Sequence, residues 1–210
     1  MFDNLYDKLN GFHPGGLYCI AGHPGIGKNS LMLSIALDYA EKFNKKVLIF
    51  SLEMTKEDIG YKVYCKVGED KFKSMMELPV YISDESIVTT NYVKEAIDVN
   101  KPGIVFIDYL QLLSSYTRGS GGNNLIYTLK CIAEATNIPI VILCQMNRKL
   151  GRPELVDFRL SLISDQSFDG VLFLYKSEIL EIIVAKNRYG ETFTLNTTCS
   201  KWPELRYIEC

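Results

Sequence analysis

The stretch Gly22-His23-Pro24-Gly25-Ile26-Gly27-Lys28-Asn29 constrains this 210-residue chain more than any other. It follows an apolar run at 17–21 and opens a segment of helical spacing at 28–43. A Gly-x4-Gly-Lys turn between strand and helix aims backbone N–H groups at phosphate oxygens, and the helix N-terminus adds partial positive charge. Gly22, Gly25 and Gly27 supply the turn, and Lys28 is placed to reach the β- and γ-phosphates. The nucleotide-binding set is therefore expected to be Gly22, Gly25, Gly27, Lys28, Asn29 and Ser30. Asn29 departs from the usual pattern, in which a Ser or Thr hydroxyl ligates Mg²⁺. An amide oxygen also binds hard cations, but on a longer arm. Ser30 lies about 100° further round a helix and substitutes poorly. The cradle survives the change and the metal site is altered.

The rest of the chain alternates. Apolar runs at 17–21, 46–52, 79–82, 104–109 and 138–145 lack the in-out pattern of half-exposed strands, as in a parallel sheet covered on both faces. Helices are expected between them at 28–43, 56–67, 90–99 and 124–135. Thr55-Lys56-Glu57-Asp58 has the form of a capping box. Three closely spaced strands follow at 170–175, 180–186 and 192–197. The expected fold is α/β, a mostly parallel sheet flanked by helices with antiparallel C-terminal strands. The glycine-rich stretch within 114–124 reads as a mobile loop inside one domain spanning 1–210.

In such a sheet an acidic residue is expected where a buried strand ends. The run Ile104-Val105-Phe106-Ile107 closing on Asp108 meets that expectation, and Asp108 joins Asn29 as a candidate Mg²⁺ ligand. Composition excludes other classes. No apolar stretch is long enough for a membrane helix, and no secretory signal opens the chain. The six cysteines never form Cys-x-x-Cys, so a zinc site or disulfide frame is not expected and a cytoplasmic location is. The net charge of −2 gives no support for nucleic-acid binding, which would need a local patch or several subunits together.

Further motifs resemble the motor domain of DnaB-type replicative DNA helicases, a RecA-like P-loop NTPase. They are Gly11-Phe12-His13-Pro14-Gly15-Gly16-Leu17, Ser51-Leu52-Glu53-Met54, Ile107-Asp108-Tyr109-Leu110-Gln111-Leu112-Leu113, Cys144-Gln145-Met146-Asn147-Arg148 and Ala185-Lys186-Asn187-Arg188-Tyr189-Gly190. They stand in the family's order and span nearly the whole chain. The resemblance implies ATP-driven translocation on single-stranded DNA, with ATP and Mg²⁺ as cofactors and a homo-oligomer, a hexameric ring when active. Glu53 would then be the general base, Gln145 a γ-phosphate sensor, and Lys186 and Arg188 fingers acting on a neighbouring subunit's site. DNA contacts would come from loops 114–124, with Arg118, and 148–157, with Arg148, Lys149 and Arg152. The family's N-terminal helical domain and linker helix are not expected in this chain. Asn29 keeps a second reading open, a hydrolysis-poor nucleotide-binding paralogue that regulates or associates with a replicative helicase. A small-molecule kinase is a third reading, disfavoured because nothing resembles a lid.

Overall fold

The computed structural model describes residues 2–85, 87–108, 120–146, 151–160, 165–198 and 208–209. Among these, nine strands form a single sheet in the order β3-β2-β4-β5-β1-β6-β7-β8-β9. Strands β1 (Leu17–Gly22), β2 (Val47–Ser51), β3 (Val80–Ser83), β4 (Ile104–Asp108), β5 (Ile140–Gln145) and β6 (Gly170–Lys176) are parallel. Strands β7 (Leu180–Asn187), β8 (Phe193–Thr198) and β9 (Ile208–Glu209) continue the sheet antiparallel. The expected architecture is present.

Every residue of β1, β2 and β4 is buried, which explains why these strands read as continuous apolar runs. Two cores result, one on each face. Tyr18 and Ile20 of β1 join Leu31, Ile35 and Tyr39 of α2 (Lys28–Phe43) and the short α1 (Asp3–Leu9). Leu17, Cys19 and Ala21 face the other way, toward Val93 and Ile97 of α5 (Thr90–Asn100) and Leu125, Ile126 and Leu129 of α6 (Ser120–Thr136). The Thr55 side chain accepts from the Asp58 N–H at 3.2 Å and starts α3 (Lys56–Val67) as its sequence predicts.

The expected mobile loop needs correction at its C-terminal end. Helix α6 begins at Ser120 and takes in Gly121 and Gly122. Their poor helix propensity is outweighed by the face that α6 packs on the sheet. Residues 109–119, including Arg118, lie outside the described residues, as do 147–150 with Arg148 and Lys149. Helices α4 (Glu69–Met75) and α7 (Leu155–Leu160) add to the expected set, α7 starting inside the segment read as a loop. Among the described residues no helix is long and apolar enough to cross a membrane.

Gly170, at the start of β6, shows how tightly β1 and β6 approach. A Cβ there would lie 2.6 Å from Tyr18 Cδ1, within a ring that is wholly buried. Gly170→Ala is therefore expected to cost about 1–3 kcal/mol through overpacking, measured as a lower urea midpoint with unchanged slope.

Candidate active site

Sheet topology delivers the candidate residues to one edge. Strands β1, β5, β4 and β2 are neighbours, and all end at the same edge of the sheet. In register, Gly22 stands opposite Gln145, and Ser51 opposite Asp108. Cross-links continue the pairing past the strands: Met146 N donates to Gly22 O at 3.1 Å, and Leu52 N to Asp108 O at 2.8 Å. The crevice outside the carboxyl ends of parallel strands is where open α/β sheets bind ligands.

The turn from β1 into α2 has the required backbone. Gly25 has φ 74° and Gly27 φ 105°, conformations that side chains with a Cβ resist. The Lys28 ammonium folds back on this turn, donating to Gly22 O at 3.0 Å and His23 O at 2.9 Å. Burial holds it below the ordinary lysine value, against the pull of the Asp108 carboxylate.

Beside it, the Asn29 amide Nδ2 donates to Asp108 Oδ2 at 2.8 Å and lies 3.4 Å from Glu53 Oε2. A side chain from the P-loop thus bridges the ends of β4 and β2. Asp108 is 2% exposed, and its Oδ1 is buried without a hydrogen-bond partner among the described residues. Burial and the nearby Glu53 charge push its carboxyl up to about 7, while Lys28 and Lys62 pull the other way. Glu53 is exposed, just past β2. Its loop is closed by Ser51 Oγ, which donates to Met54 O at 2.6 Å and accepts from Met54 N at 3.3 Å.

These groups share a cleft of about 260 Å³ that also takes in Ser30 and Gln145. Lys62 of α3 enters the same cleft and donates to Met54 Sδ at 2.7 Å. Sequence reasoning misses it, because one lysine on an amphipathic helix carries no spacing signal.

Lys186 and Arg188 are not part of this cleft. Gly170 pairs with Asn187, and Arg188 N donates to Asp169 O at 2.7 Å. That is where β6 begins, beside Leu17, whereas the P-loop leaves β1 after Gly22. The length of β1, roughly 17 Å, separates Arg188 from its own chain's phosphate site. Arg152 also lies elsewhere, paired with Glu181 at 2.9 Å and donating to Thr194 Oγ1 at 2.9 Å.

The DnaB-like helicase C terminal domain family matches residues 1–70 and 66–202. A probable replicative DNA helicase of Trieres chinensis is 29% identical over 92% of this chain and 53% of its own length. The replicative DNA helicase DnaB of Geobacillus stearothermophilus is 29% identical over 92% of this chain and 52% of its own. The chain thus spans about half the length of the relatives it matches. A solved structure of an isolated ATPase domain superposes with a TM-score of 0.86 at 25% identity, covering 99% of this chain and 90% of that one. A DnaB-like replicative helicase, described with its interactions with primase, superposes with a TM-score of 0.83 at 24% identity. It covers 96% of this chain and 59% of that one and shares its fold.

Proposed function

The chain belongs to the DnaB-like helicase C terminal domain family, and on that footing we propose that it is an ATP-driven DNA helicase motor. It works in the cytoplasm as a single RecA-like domain within a homo-oligomeric ring on single-stranded DNA. The observation that carries this reading is the division of the candidate catalytic residues between opposite ends of the sheet. Lys28, Glu53, Asp108 and Gln145 converge at the carboxyl ends of the strands. Arg188 sits where β1 begins, out of reach of its own cleft. A site lacking its own finger is completed by another copy.

The cleft residues take distinct tasks. The P-loop N–H groups and Lys28 hold the β- and γ-phosphates. Glu53, exposed and facing the cleft, orients and polarises the attacking water. Gln145 senses the γ-phosphate from the end of β5. Arg188, with Lys186 two residues before it, enters from the neighbour to meet charge on the transferring phosphoryl group.

Asp108 fits a hard cation, since its buried Oδ1 has no other partner among the described residues. Among those residues no cluster of three His, Cys, Asp or Glu side chains converges, so such an ion would arrive with the phosphates. Mg²⁺ bound there supplies charge neutralisation for phosphoryl transfer. Asn29 joins it by turning its amide so that Oδ1 replaces Nδ2, which gives up the bond to Asp108.

Steady-state ATP hydrolysis against chain concentration tests the shared site. Turnover per chain should rise steeply as rings assemble. A rate independent of concentration, from a chain shown to be monomeric, would contradict the proposal.

A further inference from the structure

We propose that Asp169 is the positioning residue that presents Arg188 to the neighbouring subunit's nucleotide site, an inference that rests on Arg188 acting in trans. Asp169 is fully buried at the start of β6. Its two oxygens do different things. Oδ2 accepts from Leu17 N at 2.8 Å and from Lys130 Nζ at 2.7 Å, which ties together β6, β1 and α6. Lys130 also donates to Gly15 O at 3.1 Å and pairs with Glu134 at 3.1 Å. Oδ1 faces the Arg188 guanidinium, with Nη1 at 2.8 Å.

Were the carboxylate there merely to hold the three elements together, Oδ2 would be enough. The Lys130 charge already balances that of Asp169, so Oδ1 holds Arg188 without cancelling its positive charge. The Arg188 side chain is 47% exposed, and most of the five N–H donors of its fork remain open to an incoming phosphate. The Nη1 contact also falls short of hydrogen-bond geometry, since Oδ1 accepts no hydrogen bond from the described residues. The guanidinium is thus located by charge and remains able to turn toward a stronger acceptor.

The backbone beneath it is fixed from both sides. Arg188 N donates to Asp169 O and Asp169 N to Leu17 O, both at 2.7 Å. The turn that follows is fastened to the segment leading into β1. Asn10 Nδ2 donates to Tyr189 O at 2.9 Å, Asn187 Nδ2 to Lys8 O at 3.3 Å, and His13 stacks on Tyr189 at 4.1 Å. A rigid root and a loosely held head suit a group that must arrive in place and then bind.

A mixed-subunit assay tests this. Lys28→Ala chains have a disabled site of their own but keep the finger, and Arg188→Ala chains keep the site but lack the finger. Mixing them should restore ATP turnover at the Arg188→Ala sites. Adding Asp169→Asn to the Lys28→Ala chain should lower the restored kcat at least tenfold and leave KM for ATP nearly unchanged. Asp169→Asn strands the Lys130 charge, so Lys130→Met/Asp169→Asn is run beside it, a neutral pair that keeps an acceptor for Leu17 N. Melting temperature and ring size of each donor chain are read in parallel. Full restoration by the folded, ring-forming double variant would overturn the role of Asp169 and leave the trans reading standing. No restoration by Lys28→Ala chains with Asp169 intact would overturn the trans reading, and this inference with it.

Discussion

Replacing Arg188 by alanine is expected to lower ATP turnover by about 10³-fold or more, the range in which arginine fingers act. Nucleotide affinity should change little, because the P-loop lies at the other end of β1. The fold should survive as well. The Arg188 side chain is about half exposed, and Asp169 keeps Lys130 as its partner. A pair of that exposure contributes at most about 1 kcal/mol. Single-turnover hydrolysis and fluorescent-nucleotide binding, measured on the same preparation, separate the two effects. Loss of binding in step with turnover would mean that Arg188 acts through its own chain.

Asp108→Asn is expected to move function and stability in opposite directions. Turnover should fall by about 10²- to 10³-fold, as when a group stabilising transition-state charge is removed. Stability should rise at neutral and alkaline pH. Burial, reinforced by the Glu53 charge, raises the Asp108 carboxyl from 3.8 to about 7 in the folded chain. A carboxyl raised on folding contributes stability that is full below about 4 and is lost as pH rises through about 7. At pH 8 the ionised group therefore costs the fold a few kcal/mol at most. The amide variant avoids that cost and still accepts from Asn29. Its melting temperature at pH 8 should exceed the parent's by about 5 °C or more, with the difference vanishing near pH 4. Equal melting curves at both pH values would show that Asp108 is better solvated than its 2% exposure implies.

Much of this site is legible in the amino-acid sequence. Helices α2 and α3 run over the expected residues because glycine turns, a capping threonine and apolar spacing agree there. The convergence of Lys28, Glu53, Asp108 and Gln145 is also readable, since the motifs fall where parallel strands end. What stays hidden depends on contacts between distant parts of the chain. The lysine Lys62 and the aspartate Asp169 carry no local pattern, and their partners lie on other elements. Helix α4 buries none of its residues, so it offers no apolar period to read. Helix α6 starts on glycines that spell a loop, and its buried face overrides them. The Asn29 bridge to Asp108 and Glu53 is a matter of three-dimensional geometry, because residue type alone does not say which way an amide faces.

The central claim is that this domain is a DNA-responsive ATP motor. It is tested most directly by Mg²⁺-dependent ATP hydrolysis with and without single-stranded DNA, for the chain itself and for Asn29→Thr. The prediction is slow turnover that single-stranded DNA accelerates, with a further rise when threonine restores the hydroxyl. Tight nucleotide binding without turnover in either protein, under conditions that assemble rings, would contradict the motor and leave a nucleotide-binding paralogue in its place.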